Sequence, residues 1–185
     1  MVKDIESFLR KDFKFSELKI VSDDICINNS NEYLDIDSEE GGLISKLYKK
    51  GEDRLFKSDK MSSCDTILFN IKHDHMVFIE FKDMNKVDSK EKLKEWNEKH
   101  YKSILVKISD SILMFSYILN KKYKISYDSF MNIKKSFIYV YKTDVYKDKI
   151  HEHLHNKFSK YKFLFQNTLF ADVNEFQDFL KTNKL

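Results

Sequence analysis

The chain has 185 residues, of which 42% are hydrophobic and 15% aromatic, and this composition excludes a disordered tail and suits one compact domain. Its 33 basic and 30 acidic residues leave a net charge of only +3, so the overall charge gives no signature of nucleic-acid binding. Cys26 and Cys64 are the only cysteines, and they form no metal-binding or redox motif. We expect both to be free thiols in a reducing compartment.

The distribution of charged residues along the chain also indicates whether the protein is secreted or inserted in a membrane. The first 13 residues, MVKDIESFLRKDF, carry charges every few positions, which is unlike a secretory signal. No run of residues approaches the 18 or more apolar positions that a membrane-spanning segment needs. The sequence therefore predicts a soluble, cytoplasmic protein with no membrane partner.

The first third of the chain mixes helical and strand patterns. Apolar residues at helical spacing predict a helix over residues 2–9, and short alternations predict strands at 18–20 and 25–27. A second helix is expected to begin at Asp37 or Ser38, either of which can cap it, and to extend to about residue 48.

The remainder of the chain continues this mixture. Two facing strands are predicted at 67–70 and 75–79, followed by a charged helix that Asp88 or Ser89 caps and an amphipathic helix over 104–119. A strand at 136–142, a helix at 148–160, a strand at 163–170 and a closing helix at 173–180 follow. Strands interleaved with helices predict a single α/β or α+β domain over residues 1–185, built on a mixed sheet.

The two facing strands bring charged side chains together. If their turn is centred on residues 72 and 73, the numbers of paired residues sum to 145, and Asp65 then lies opposite Glu80. Directly opposed residues share a face of the sheet, and Lys82, two positions beyond Glu80, returns to the same face. We therefore expect Asp65, Glu80 and Lys82 to converge on one patch, provided that this register is correct.

Two opposed carboxylates need a compensating charge. At about 5 Å they repel each other by roughly 3 kcal/mol if the effective dielectric constant is near 20. Lys82 supplies one positive charge, and a divalent cation would supply more; oxygen ligands favour magnesium or manganese over zinc. The alternative is an edge at which Glu80 and Lys82 face water. The apolar run MVFI argues against that alternative, because it indicates a strand buried on both faces.

An Asp near the start of one strand, followed by Glu-x-Lys at the end of the next, resembles the PD-(D/E)xK nuclease superfamily. Asp65 and the triplet Glu80-Phe81-Lys82 carry this resemblance, which covers roughly residues 37–142 and includes the helices and strand that follow the hairpin. It implies a restriction-endonuclease-like α/β fold, with a mixed β-sheet core flanked by helices and with additions at both ends of the chain. The residue before Asp65 is Cys64, where the family pattern has proline.

The resemblance also implies a chemistry, that of a metal-dependent endonuclease or exonuclease. Asp65 and Glu80 would bind Mg²⁺ or Mn²⁺, together with the backbone carbonyl of Phe81, and Lys82 would orient or help to deprotonate the attacking water. An upstream helix often adds one more acidic ligand in this family, for which Glu39 and Glu40 are the candidates, with Glu52 a weaker one. The product would be a cleaved phosphodiester, and the resemblance favours DNA over RNA as the substrate. The alternative is a non-catalytic nucleic-acid-binding or assembly protein on the same fold.

Three further features leave alternatives open. Lys86, Lys92 and Lys94 are candidates for phosphate contacts, or they belong to a solvated helix face shared with several glutamates. His151, His153 and His155 have spacings that could hold zinc, although a structural or solvent-facing role is favoured. The short chain leaves little room for a separate recognition domain, which makes a homodimer or a partner protein plausible.

Overall fold

The computed structural model describes residues 1–18, 25, 27, 29–36, 42–48, 62–143, 145, 147–158 and 164–183. The helices within these ranges are α1 (Val2–Asp12), α2 (Leu43–Tyr48), α3 (Lys90–Tyr123), α4 (Tyr127–Met131), α5 (Lys147–Phe158) and α6 (Val173–Asn183). The strands are β1 (Phe15–Glu17), β2 (Glu32–Asp35), β3 (Thr66–Asn70), β4 (His75–Asp83), β5 (Lys134–Lys142) and β6 (Asn167–Asp172). The expected mixture of helices and strands is thus confirmed.

The six strands form one mixed sheet in the order β1-β2-β3-β4-β5-β6. Strands β1 to β4 are antiparallel neighbours, whereas β5 runs parallel to β4 and β6 runs parallel to β5. A parallel connection needs a crossover, and α3 with α4 provides it between β4 and β5. Strand β4 is therefore the point at which the pairing of the sheet changes from antiparallel to parallel.

Strand β4 is buried on both faces, as its apolar run predicts. Met76 and Phe78 point to one face, where they join the cluster of buried residues that includes Phe115 of α3. Val77 and Ile79 alternate to the other face, where they belong to a second cluster that α6 helps to cover. Glu80 follows the alternation onto the α3 face, which places a carboxylate at the end of an apolar layer.

Helix α3 corrects the prediction of two successive helices after the hairpin. It is one continuous helix of 34 residues, about 50 Å long. Its first residue follows Ser89, whose side chain accepts a hydrogen bond of 3.2 Å from the backbone N–H of Lys92, as the capping prediction requires. Between the charged first turns and the apolar second half no residue breaks the helix, so the change in composition marks a change of environment and not an end.

The second part of α3, Lys102–Tyr123, is long and apolar enough to cross a membrane by length and composition alone. Half of its most apolar stretch is buried inside the protein, where Ile108, Ile112 and Phe115 pack in the cluster on the sheet. The core helix of a globular domain has the same character. The chain has no unbroken apolar run of that length, as expected, but this helix reaches the same apolar character as an average over its residues.

The remaining differences lie near the amino terminus. The first helix is confirmed as α1, and described strands lie at Phe15–Glu17 and Glu32–Asp35. Of the predicted strands at 18–20 and 25–27, only residues 18, 25 and 27 are described, and none of these three lies in a strand. In the part of the second predicted helix that is described, helical structure begins at Leu43, directly after Gly42. Residues 37–41, which include both proposed capping residues, lie outside the described ranges. The strands and helices predicted after residue 130 are confirmed with shifts of a few residues.

Candidate active site

Asp65 lies directly before β3 and is held by its neighbours in the sheet. Its backbone N–H donates to the Ile79 carbonyl over 3.0 Å, and its own carbonyl accepts a hydrogen bond from the Ile36 N–H over 3.2 Å. Its carboxylate oxygen Oδ2 accepts a hydrogen bond of 2.7 Å from the backbone N–H of Phe81. The register between β3 and β4 pairs Thr66 with Ile79, so the predicted sum of 145 is confirmed. Asp65 therefore lies beside the end of β4, as expected.

Glu80 is the second carboxylate of the site, and only 4% of it is exposed. It lies on the α3 face of β4, where Tyr139 is its register partner on β5. A charged side chain so deeply buried requires a partner, because isolated charges are costly to remove from water. The burial of Glu80 contradicts the alternative in which this end of the strand faces water.

The partner is Lys107 of α3, a residue that sequence reasoning missed. Its ammonium nitrogen Nζ lies 2.5 Å from Glu80 Oε1 and 3.8 Å from Asp65 Oδ1. One ammonium group thus lies near both carboxylates and offsets one of their two negative charges. The available signal was the helical spacing of Ile104, Lys107 and Ser111, which places a lysine along the buried stripe of α3.

The segment that leads into Asp65 is fastened to the same part of α3. The backbone N–H of Cys64 donates to Ser111 Oγ over 2.8 Å, and that hydroxyl donates to the Lys107 carbonyl over 2.6 Å. The backbone N–H of Ser62 donates to Asp110 Oδ2 over 3.1 Å. These contacts fix Asp65 relative to the helix that carries Lys107, so the site is built by β3, β4 and α3 together.

Tyr139 forms the floor beside the two carboxylates. It is buried, with 1% of its surface exposed, and it joins the cluster of apolar residues on the α3 face. Burial raises the pKa of its hydroxyl well above 10, and the negative charges of Glu80 and Asp65 raise that pKa further. The phenol therefore remains protonated next to the carboxylate pair.

Lys82 lies two residues beyond Glu80 on the same face of β4, as predicted, and it lines a neighbouring cleft of about 870 Å³. The expectation that it would be the cation between the carboxylates differs from the geometry, because Lys107 has that position. Lys107 reaches the carboxylates from helix α3, whereas Lys82 belongs to β4 itself and lines the cleft.

Of the three lysines proposed to contact phosphates, two line the cleft beside Lys82 and one does not. Lys86 and Lys92 line it, and Trp96 forms part of its wall. Lys92 also forms an ion pair of 2.7 Å with Asp88, so part of its charge is already balanced. The exposed Lys94 is not among the residues that line the cleft.

The donor set fits a hard divalent cation. Asp65 and Glu80 both lie within 3.8 Å of one point, and Mg²⁺ is commonly bound by one or two carboxylates that leave room for water and phosphate oxygens. The N–H of Phe81 donates to Asp65 Oδ2 over 2.7 Å, and the metal-binding role of the Phe81 carbonyl stays a prediction. Glu39, Glu40 and Glu52 lie outside the described ranges. Among described residues, no group of three or more acidic, histidine or cysteine side chains could hold a metal ion.

The histidines of α5 do not form a metal site with other described side chains. His151 and His155 are exposed and line a separate cleft of about 570 Å³, together with Asp148, Glu152 and Glu175. The position of the His153 side chain lies outside what is described. This arrangement agrees with the solvent-facing role that the sequence favours.

No protein-family model matches this chain, and no curated protein or solved structure is significantly similar to it.

Proposed function

We propose that this protein is a metal-dependent nuclease with a restriction-endonuclease-like fold, which hydrolyses phosphodiester bonds and prefers DNA. The observation that carries the proposal is the pairing of Asp65 with Glu80 around one cationic position at the end of β4. Two carboxylates that share a cation position next to a lysine are suited to phosphodiester hydrolysis, because the reaction places negative charge on the phosphate oxygens.

The topology supports the fold assignment. The hairpin of β3 and β4 carries Asp65 on its first strand and Glu80 with Lys82 on its second, as in the resemblance described above. A helical crossover then leads to a parallel strand, β5. The site lies at the carboxyl end of β4, the strand at which the pairing of the sheet changes from antiparallel to parallel.

Each residue has a role in this proposal. Asp65, Glu80 and the Phe81 carbonyl would hold Mg²⁺ or Mn²⁺, which when bound would stabilise negative charge on the phosphate and acidify water. Lys82 stands at the edge of the cleft, where it would orient the attacking water against the phosphate. The buried, protonated Tyr139 lies beside Glu80, its partner in the sheet, and would help to keep water from that carboxylate.

The cleft gives the substrate a path away from the carboxylates. It extends from Lys82 along the first turns of α3, and Lys86 and Lys92 line it. A phosphate backbone lying there would meet the charge of Lys86 first, since Lys92 is paired with Asp88. Binding through such contacts weakens as the salt concentration rises.

The test is a cleavage assay on single-stranded DNA, duplex DNA and RNA in the presence of Mg²⁺, Mn²⁺ or EDTA. We expect the wild-type protein to cleave DNA only with metal, and Lys82→Ala to lose that cleavage. Lys3→Ala, which removes an exposed lysine of α1 that does not line the cleft, is the matched control and should cleave normally. Undiminished cleavage by Lys82→Ala, or cleavage in EDTA, would contradict the proposal.

A second candidate function is a non-catalytic nucleic-acid-binding or assembly protein on the same fold. It is favoured by one observation: Lys107 already supplies a positive charge to both carboxylates, so part of their negative charge is compensated without a metal. This candidate predicts that a well-folded wild-type protein cleaves no nucleic acid with any metal and that Mn²⁺ leaves its melting temperature unchanged.

A further inference from the structure

We infer that Lys107 is the resident cation of the carboxylate pair and that a divalent cation binds there by displacing its ammonium group. This inference rests on the proposed function, since it concerns the same site. Nζ lies 2.5 Å from Glu80 Oε1 and 3.8 Å from Asp65 Oδ1. A Mg²⁺ ion bound by the same two carboxylates needs oxygen distances near 2.0–2.1 Å. The two cations therefore need overlapping positions, and only one can occupy them at a time.

Lys107 can leave the pair without a change in the fold. Its side chain is 25% exposed, so one direction leads to solvent. Its backbone stays in place because α3 continues on both sides and Ser111 Oγ donates to its carbonyl. A lysine side chain has a flexible four-carbon stem, so the ammonium can move while its Cα remains where it is.

Exchange has a measurable consequence for metal affinity. Each metal ion that binds must break the contact between Lys107 and Glu80, so the strength of that contact is subtracted from the metal's own binding energy. Removing the ammonium should therefore tighten metal binding, while it destabilises the metal-free protein. A residue that merely supports the fold would show only the second effect.

The experiment measures Mn²⁺ binding to the full chain without nucleic acid, through the electron paramagnetic resonance signal of free Mn²⁺. We expect Lys107→Gln to bind Mn²⁺ at least about tenfold more tightly than the wild-type protein, which corresponds to about 1.4 kcal/mol. Lys102→Gln removes an exposed lysine from the same helix and should leave the affinity unchanged. Glu80→Gln combined with Lys107→Gln should lose the gain, because a metal ligand is then missing.

Melting curves provide a second readout. Lys107→Gln should melt below the wild-type protein without metal and should gain more from saturating Mn²⁺, since ligands that bind only the folded state stabilise it. If Lys107→Gln does not fold, Lys107→Arg replaces it. Arginine keeps the charge but holds carboxylates with a rigid fork, so we expect this variant to bind Mn²⁺ no more tightly than the wild-type protein and to melt at a similar temperature.

An unchanged or weaker Mn²⁺ affinity in folded Lys107→Gln would overturn the inference, as would the absence of Mn²⁺ binding in both proteins. If Lys107→Gln does not fold, tighter Mn²⁺ binding by Lys107→Arg would overturn it. The nuclease proposal fails separately. If the wild-type protein cleaves with metal but Lys107→Gln binds Mn²⁺ with unchanged affinity, the displacement of Lys107 is refuted and the nuclease proposal stands. If Lys107→Gln binds Mn²⁺ more tightly but the wild-type protein cleaves no nucleic acid, the nuclease proposal is refuted and the displacement of Lys107 stands.

Discussion

Lys107 Nζ lies 2.5 Å from Glu80 Oε1, which joins the middle of the long helix α3 to the end of the central strand β4. Only 4% of Glu80 is exposed, so this ion pair is largely removed from water on the carboxylate side. Removing one partner of such a pair leaves an uncompensated buried charge, whereas removing both leaves none. The pair should therefore show strong coupling.

The first prediction is a double-mutant cycle on this pair. Lys107→Met should lower the free energy of unfolding by about 2–4 kcal/mol, since the cost of breaking a buried pair is near 3–5 kcal/mol and Lys107 is partly exposed. Adding Glu80→Gln should restore part of the loss, because the buried charge is then removed. Urea denaturation of the four proteins measures the coupling. Additive losses would show that the two side chains act independently.

The second prediction concerns Asp65. Asp65→Asn should retain the wild-type stability within about 1 kcal/mol, because the amide oxygen can still accept the hydrogen bond from the Phe81 N–H. It should lose at least about a hundredfold in metal-dependent cleavage, because a neutral amide is a poorer ligand for a hard cation. Urea denaturation and the cleavage assay provide the two measurements. Asp178→Asn, which changes an exposed carboxylate of α6 that does not line the cleft, is the control and should cleave normally.

The placement of Asp65 and Glu80 was predictable because both belong to one hairpin. Strand pairing follows from a turn between neighbouring segments, and alternation then decides which side chains share a face. Lys107 could not be found in that way. It reaches the pair from a helix that begins seven residues after β4, and its position depends on how that helix packs over the sheet. Helical spacing places a residue on a stripe, but it does not say which strand the stripe covers.

The same limit explains the errors near the amino terminus. Alternation over three or four residues is too short to distinguish a strand from an irregular segment, and the sequence did not predict β1 or β2. The position of strand β2 is determined by pairing with the strands on both sides of it, since Leu34 pairs with Phe15 on one side and Ile67 on the other. Those contacts are distant in sequence and leave no local pattern.

The third prediction concerns the start of α3. Ser89 Oγ accepts a hydrogen bond from the Lys92 N–H and so satisfies one of the free donors in the first turn. Ser89→Ala should lower the free energy of unfolding by about 1 kcal/mol, while Ser89→Asp, which also accepts this bond, should keep it near the wild-type value. Urea denaturation of the two variants makes the comparison. Equal losses in both would mean that the cap contributes nothing.

The fourth prediction is a pH dependence that His75 causes. Burial lowers the pKa of its imidazole below the usual 6.5, and the nearby charges of Lys134 and His73 lower it further. The unfolded chain therefore binds a proton at a higher pH than the folded protein does, so stability falls as the pH drops below about 6.5 through the folded pKa. The ring also contacts Ser136 Oγ through Nε2 over 2.9 Å, which joins β4 to β5. Urea denaturation between pH 7 and pH 5 should show a steeper loss for the wild-type protein than for His75→Gln, whose amide does not titrate. Parallel slopes would show that His75 has the same pKa in both states.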